Sequence, residues 1–91
     1  MDVKEVKQME LTDTVAGMLS NDYKERFIAE YQQVKIRRDK LQNMVNRWDN
    51  PNVELAFTPT CPRSTYDLQI RAMNDYIAVL EARAVMEGVT L

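Results

Sequence analysis

Residues 32–44 read QQVKIRRDKLQNM, and the KIRRDK within them sets four cations, Lys35, Arg37, Arg38 and Lys40, against one anion, Asp39. Ammonium and guanidinium groups gathered into two helical turns suit phosphate, and the planar fork of arginine adds bidentate hydrogen bonding. Lys35 and Arg38 are three residues apart, as are Arg37 and Lys40, so the cations fall on two strips of a helix rather than one face. Tyr31 precedes Lys35 by one turn. A tyrosine can stack on a base and still offer its hydroxyl, and Tyr76 is a second candidate of this kind. Stacking for a base and cations for phosphates together make adequate chemistry for a nucleotide. The competing reading is a solvated helix surface, with Lys35 and Asp39 as an ordinary i,i+4 pair.

Arg38 stands out for a second reason. Phe27, Tyr31, Val34, Leu41, Val45 and Trp48 recur at helical spacing, and Arg38 falls in that stripe between Val34 and Leu41. A cation on a packed seam is costly unless it is paired or hydrogen-bonded. Its partner is therefore either structural (Glu81, Asp75 or a carbonyl of a neighbouring helix) or a ligand phosphate, unless the side chain snorkels to water.

Other chemistry has little support. The chain has no histidine, which removes the commonest general base and transition-metal ligand. There is no glycine-rich phosphate loop and no cysteine cluster. Cys61, the one cysteine, lies between prolines in TPTCPR and reads as a helix-start residue; an intracellular setting is expected, without disulfides. Neither a catalytic residue nor a metal or other cofactor is expected. The net charge is −2 over 91 residues, but its distribution is uneven. Residues 23–48 hold seven cations and three anions, whereas 1–22 hold two against five and 49–91 three against six. One basic element flanked by acidic segments argues against a broad DNA-tracking surface. No apolar run is long enough to cross a membrane, and the acidic start lacks a secretory signal pattern.

The elements that must position these residues follow from periodicity. Residues 1–19 carry Val3, Val6, Met9, Leu11, Val15 and Met18, a pattern for a short helical arm interrupted near Thr12 or Gly17. Ser20 is the expected N-cap of a long helix, with Asp22 in its first turn, running to Trp48 and ended by Asp49-Asn50-Pro51. Residues 49–62 hold all three prolines and form a connector in which Val53, Leu55 and Phe57 alternate as if to tuck onto the helices. Pro62 suits the start of a second helix over 63–87, with Cys61 or Ser64 near its cap. Its stripe is Tyr66, Ile70, Met73, Ile77, Leu80 and Ala84, broadened by Tyr76 and Val79. Gly88 is placed for a C-cap, with Val89 and Leu91 folding back on the last turn.

The expected fold is all-α: an antiparallel two-helix hairpin, domain 20–91, with a short N-terminal arm, 1–19. Two helices cannot cover both stripes and also Ile28, Ile36, Met44, Val85 and Met86. Assembly into a homo-oligomeric helical bundle is the economical solution.

Two segments, MLSNDYKERFIAEYQQVKIRRDKLQNMV and FTPTCPRSTYDLQIRAMNDYIAVLEARAVMEGVTL, resemble a family of short phage and prophage proteins first catalogued in crAss-like phages; the likeness covers about residues 18–91. More distantly, the helix–connector–helix plan is similar to the hairpin domain of phage anti-CBASS and anti-Thoeris sponge proteins. That resemblance implies oligomeric helical hairpins, often hexamers, in the cytoplasm of an infected bacterial host. They capture cyclic dinucleotides, cyclic trinucleotides or cyclic ADP-ribose isomers without cleaving them. Aligning QVK with the following Leu41 puts Lys35 at the place of the family's ligand-contacting lysine. The family's tyrosine near the start of that helix has its nearest counterpart in Tyr23, a few residues out of place. Arg83, near the end of the second helix, becomes a candidate inter-subunit anion contact; its alternative is an exposed arginine compensating the helix dipole. The ligand set to be tested is therefore Lys35, Arg37, Arg38, Arg71 and Arg83 for phosphates, with Tyr31 and Tyr76 for bases. A protein-interaction module with no nucleotide ligand is the alternative function.

Overall fold

The computed structural model describes residues 9–91. These residues are all-α, with no strand among them. A 3-10 turn, Leu11–Thr14, leads into the one-turn helix α1, Val15–Met18; the two long helices are α2, Tyr23–Asp49, and α3, Arg63–Glu87. At 1.5 Å per residue the long helices span about 40 Å each. Val3 and Val6 of the expected arm lie outside the described residues.

Asp22, rather than Ser20, caps α2: its carboxylate accepts the Lys24 amide at 2.9 Å. Ser20 instead accepts the Asp22 amide at 3.0 Å and shapes the chain before the cap. A serine two residues upstream closes a short turn as readily as it caps a helix, which is why sequence alone misplaces the start. The arm is tied to α2 by close approach. A Cβ built on Gly17 would sit 3.0 Å from the Cβ of buried Ala29, so a larger residue there would push α1 off α2. Thr14, fully buried in the same corner, donates its hydroxyl to the Leu11 carbonyl at 2.7 Å.

Cross-links between α2 and α3 pair early residues with late ones, so the two helices run in opposite directions. Near the start of α2, Tyr23 donates to Glu87 at 2.6 Å, and Arg83 donates to both Tyr23 (2.8 Å) and Glu87 (3.0 Å) while lying over the Phe27 ring. Midway, Tyr31 donates to Glu81 at 2.6 Å, Tyr76 donates to Glu30, and Arg38 donates to Asn74 at 2.7 Å. Beside the connector, Arg63 holds both oxygens of Asp49, and Trp48 meets Tyr66 edge to face. Between these links Phe27, Val34, Ile77, Leu80, Ala84 and Val89 form the buried cluster, with Ile28 and Tyr31 against it.

The two stripes mark the buried faces, with two corrections. Tyr76 and Val79 do not broaden the α3 stripe; both are exposed. Of the connector's three alternating apolar residues only Leu55 is half-buried, while Val53 and Phe57 are exposed. Phe57 comes back beside Arg37, Leu41, Met44 and Met73, but in an open groove that leaves about half of its surface uncovered. At the other end Gly88 adopts φ +69°, and the Val89 amide returns to the Ala84 carbonyl at 2.8 Å, burying Val89. Alanine at Gly88 meets no steric obstacle but must hold a left-handed backbone. It should cost about 1 kcal/mol, read as a melting temperature lower by roughly 4–8 °C.

Candidate functional site

One side of α2 is left uncovered by α3, and among the described residues the arm reaches it only with Met9 and Glu10. Along it Ile28, Gln32, Lys35, Asp39 and Asn43 follow at spacings of three and four, with Tyr31, Ile36 and Lys40 beside them. Met9 and Glu10 rise on the rim, as does Leu91 after the end of α3. The resulting groove holds about 340 Å³. Ile28, Ile36 and the Tyr31 ring give it apolar surface, and six polar side chains, Glu10, Gln32, Lys35, Asp39, Lys40 and Asn43, line it as well. Apolar surface with convergent polar groups in a concavity suits a small ligand.

The charges within the groove are mostly matched. Lys40 pairs with Glu10 at 3.2 Å, and Asp39 accepts from Arg38 at 2.7 Å. Lys35 differs. Its ammonium lies 5.4 Å from the centre of the Tyr31 ring, and among the described residues it makes no ion pair. A cation over an aromatic face gains about 0.5–1 kcal/mol when exposed. A hydrogen bond to a charged group is worth about 1.5–3 kcal/mol. A phosphate or carboxylate entering the groove therefore outcompetes the ring for Lys35.

Tyr31 is fixed from its other end. Its phenol is pushed up to about 12, first by the hydrogen bond to the Glu81 carboxylate, then by burial and the Glu81 charge, with the Arg38 guanidinium acting the other way. A phenol with a raised folded pKa contributes stability that is complete below pH 10 and is lost as pH rises from about 10 to 12. Tyr23, hydrogen-bonded to Glu87, is also raised, so ultraviolet titration should show late-ionising tyrosine whose amplitude falls by one residue in Tyr31→Phe. A Tyr31 phenol that ionised with the unfolded-like tyrosines would contradict the Glu81 bond.

The remaining sequence candidates are dispersed. Arg38 is three-quarters buried, and its partners are Asp39 and Asn74, not Glu81 or Asp75. The cation on the seam is thus matched within the chain. Arg37 is exposed and lines a second, shallower groove with Lys40, Phe57 and Met73. Arg71 is exposed on α3, and Tyr76 gives its hydroxyl to Glu30. Arg83 is held by Glu87 and Tyr23; hydrogen bonding to Glu87 raises its pKa above the ordinary arginine value, and the Tyr23 and Arg83 hydrogen bonds hold Glu87 below the usual carboxylate range. Of the seven candidates, only Lys35 and Tyr31 meet in one site. Gln32, Asn43, Ile28 and Ile36 are the groove residues that the reading of charges passed over. Their signal was the apolar surplus of α2 at positions 28 and 36, one turn either side of Gln32.

Among the described residues no group of acidic and cysteine side chains is arranged to hold a metal ion. Cys61 is a free thiol on the exposed connector. No described helix is long and apolar enough to cross a membrane. A family model described as Sequestin matches residues 21–86, which take in α2, the connector and nearly all of α3. No curated protein and no solved structure matches the chain.

Proposed function

We propose, from the premise that this chain belongs to the Sequestin family, that it captures a small anionic molecule and holds it without chemical change. The family's description names sequestration, and capture needs only affinity and slow release, so groups for acid–base or nucleophilic chemistry are not required. The observation that carries the reading is Lys35: a half-buried lysine whose ammonium faces an aromatic ring and makes no ion pair among the described residues, in a groove of ligand size that Asp39 and Glu10 also line.

The finer reading is a phage anti-defence sponge in the cytoplasm of the infected bacterium. Its ligand is a cyclic nucleotide signal: a cyclic dinucleotide, a cyclic trinucleotide or a cyclic ADP-ribose isomer. Lys35 binds a phosphate oxygen. The base lies on the apolar surface against the Tyr31 ring, where stacking is worth about 1–3 kcal/mol and exceeds the cation–π contact it displaces. Arg37 lies outside this groove and would add to it only from another copy of the hairpin, in a homo-oligomer such as a hexamer.

Isothermal calorimetry of the chain against cyclic dinucleotides, cyclic trinucleotides and cyclic ADP-ribose isomers tests this. Saturable binding of one class, with the ligand recovered unaltered by chromatography after protein denaturation, is the expected result. Turnover in the same tubes would replace capture with an enzyme. A flat panel would favour the alternative, a protein-interaction module, for which the exposed Leu68, Val79, Val85 and Met86 supply an apolar surface.

A further inference from the structure

Opposite its buried stripe, α3 carries a second one. Leu68, Ala72, Asp75, Val79, Ala82 and Met86 recur at spacings of four, three, four, three and four, and every one of them is exposed. Leu68 is 64%, Val79 56% and Met86 76% exposed. This is the heptad a/d spacing of a coiled-coil seam, and it runs for about 27 Å along the helix. Among the described residues nothing covers it.

The single polar member selects the occupant. Asp75 makes no ion pair among the described residues, and neither does Arg71, one turn earlier on the flank of the same seam. A parallel pairing of two such helices would set Asp75 against Asp75. An antiparallel pairing that centres Leu68 opposite the second copy's Val79 sets Asp75 opposite the small Ala72, within reach of the neighbouring Arg71. The contact is then self-complementary: each Asp75 meets the other copy's Arg71, twice over by symmetry. Sliding the pair by one heptad to centre on residue 77 would instead set each Asp75 against the second copy's Val79, away from Arg71. Charge therefore chooses both direction and register.

We infer that the outer face of α3 is the surface on which a second copy of this chain docks, antiparallel, with Arg71 and Asp75 exchanged between copies. This deepens the homo-oligomer of the proposed function and rests on none of its ligand chemistry. It also assigns Arg71 to assembly rather than to phosphate. In this register the paired seam runs from Leu68 to Val79, about 17 Å, with Ala82 and Met86 beyond it, and it is smaller than the roughly 800 Å² per partner of a standard interface. The α3 contact by itself gives a concentration-dependent dimer.

Sedimentation equilibrium of the full chain without ligand, with helicity checked by circular dichroism, is the test. Val79→Glu, Arg71→Asp and Asp75→Arg should each keep their helicity and weaken self-association about tenfold or more. The double exchange R71D/D75R should restore it to within about threefold. A chain monomeric up to about 1 mM, or an assembly indifferent to all three single variants, would overturn the proposal. So would single variants that weaken assembly without rescue by the exchange, since the pairing would then not be reciprocal. Ligand binding by a strictly monomeric chain would sink this interface and leave the capture function standing.

Discussion

Lys35→Ala is expected to lose about 10- to 100-fold in affinity for the captured anion. One charge-assisted hydrogen bond at about 1.5–3 kcal/mol, converted at 1.4 kcal/mol per decade, sets that range. The fold should be unaffected, because among the described residues Lys35 makes no ion pair and only a weak contact over the Tyr31 ring. Lys35→Arg should retain part of the affinity, since a guanidinium still donates to phosphate. Arg38→Ala is the informative contrast. Arg38 is already committed to Asp39 and Asn74, so its removal should cost stability and leave affinity within a few-fold once the protein is folded. Calorimetry on the two variants separates these outcomes. If Arg38→Ala lost binding and Lys35→Ala kept it, the anion site would belong to the hairpin seam and the α2 groove would be incidental.

Truncation at Leu80 should have the largest effect on folding. Leu80 is wholly buried and sits with Phe27, Val34, Ile77 and Ala84 where α2 and α3 meet. Leu80→Ala removes three carbons and leaves a cavity that two stiff helices close only in part, at a cost of about 2–5 kcal/mol. A chain of this size has on the order of 5–14 kcal/mol to lose, so the melting temperature should fall by roughly 10–30 °C. Val79→Ala, one residue earlier, is the control: its side chain is exposed, and its effect on folding should stay within about 0.5 kcal/mol. Thermal unfolding followed by circular dichroism reads both, at a protein concentration low enough that the chain is monomeric by sedimentation, because Val79 also lies on the outer face of α3 and association adds to stability. Equal losses at 79 and 80 would mean that the buried and exposed stripes of α3 have been exchanged.

The helices were legible because hydrophobic period is a local property. Phe27, Val34 and Val45 on α2, and Ile70, Ile77, Leu80 and Ala84 on α3, are buried where the spacing places them. Gly88 and Val89 end α3 in the expected way because a left-handed cap depends on a few neighbouring residues. Errors arose where the outcome depends on distant partners. The connector's alternation of Val53, Leu55 and Phe57 says nothing about whether a surface lies beneath it. Tyr76 reads as core by spacing, yet it sits at the edge of the stripe, where Glu30 across the interface holds its hydroxyl.

For the site the division is sharper. Composition and spacing alone determined that this is an all-helical chain with its cations concentrated on α2, that Lys35 and Tyr31 are one turn apart, and that Arg38 falls on an apolar seam. Only the tertiary structure decided which of those cations is spoken for. Arg38 finds Asn74 thirty-six residues away, Arg83 finds Tyr23 sixty residues away, and Lys35 makes no ion pair among the described residues and faces the Tyr31 ring. The physical reason is range: helical periodicity and the anions beside Arg38 and Arg83 (Asp39 and Glu87) are set within a few residues, whereas the neutral partners Asn74 and Tyr23 that complete their hydrogen bonding are brought within three ångströms or so by the fold alone.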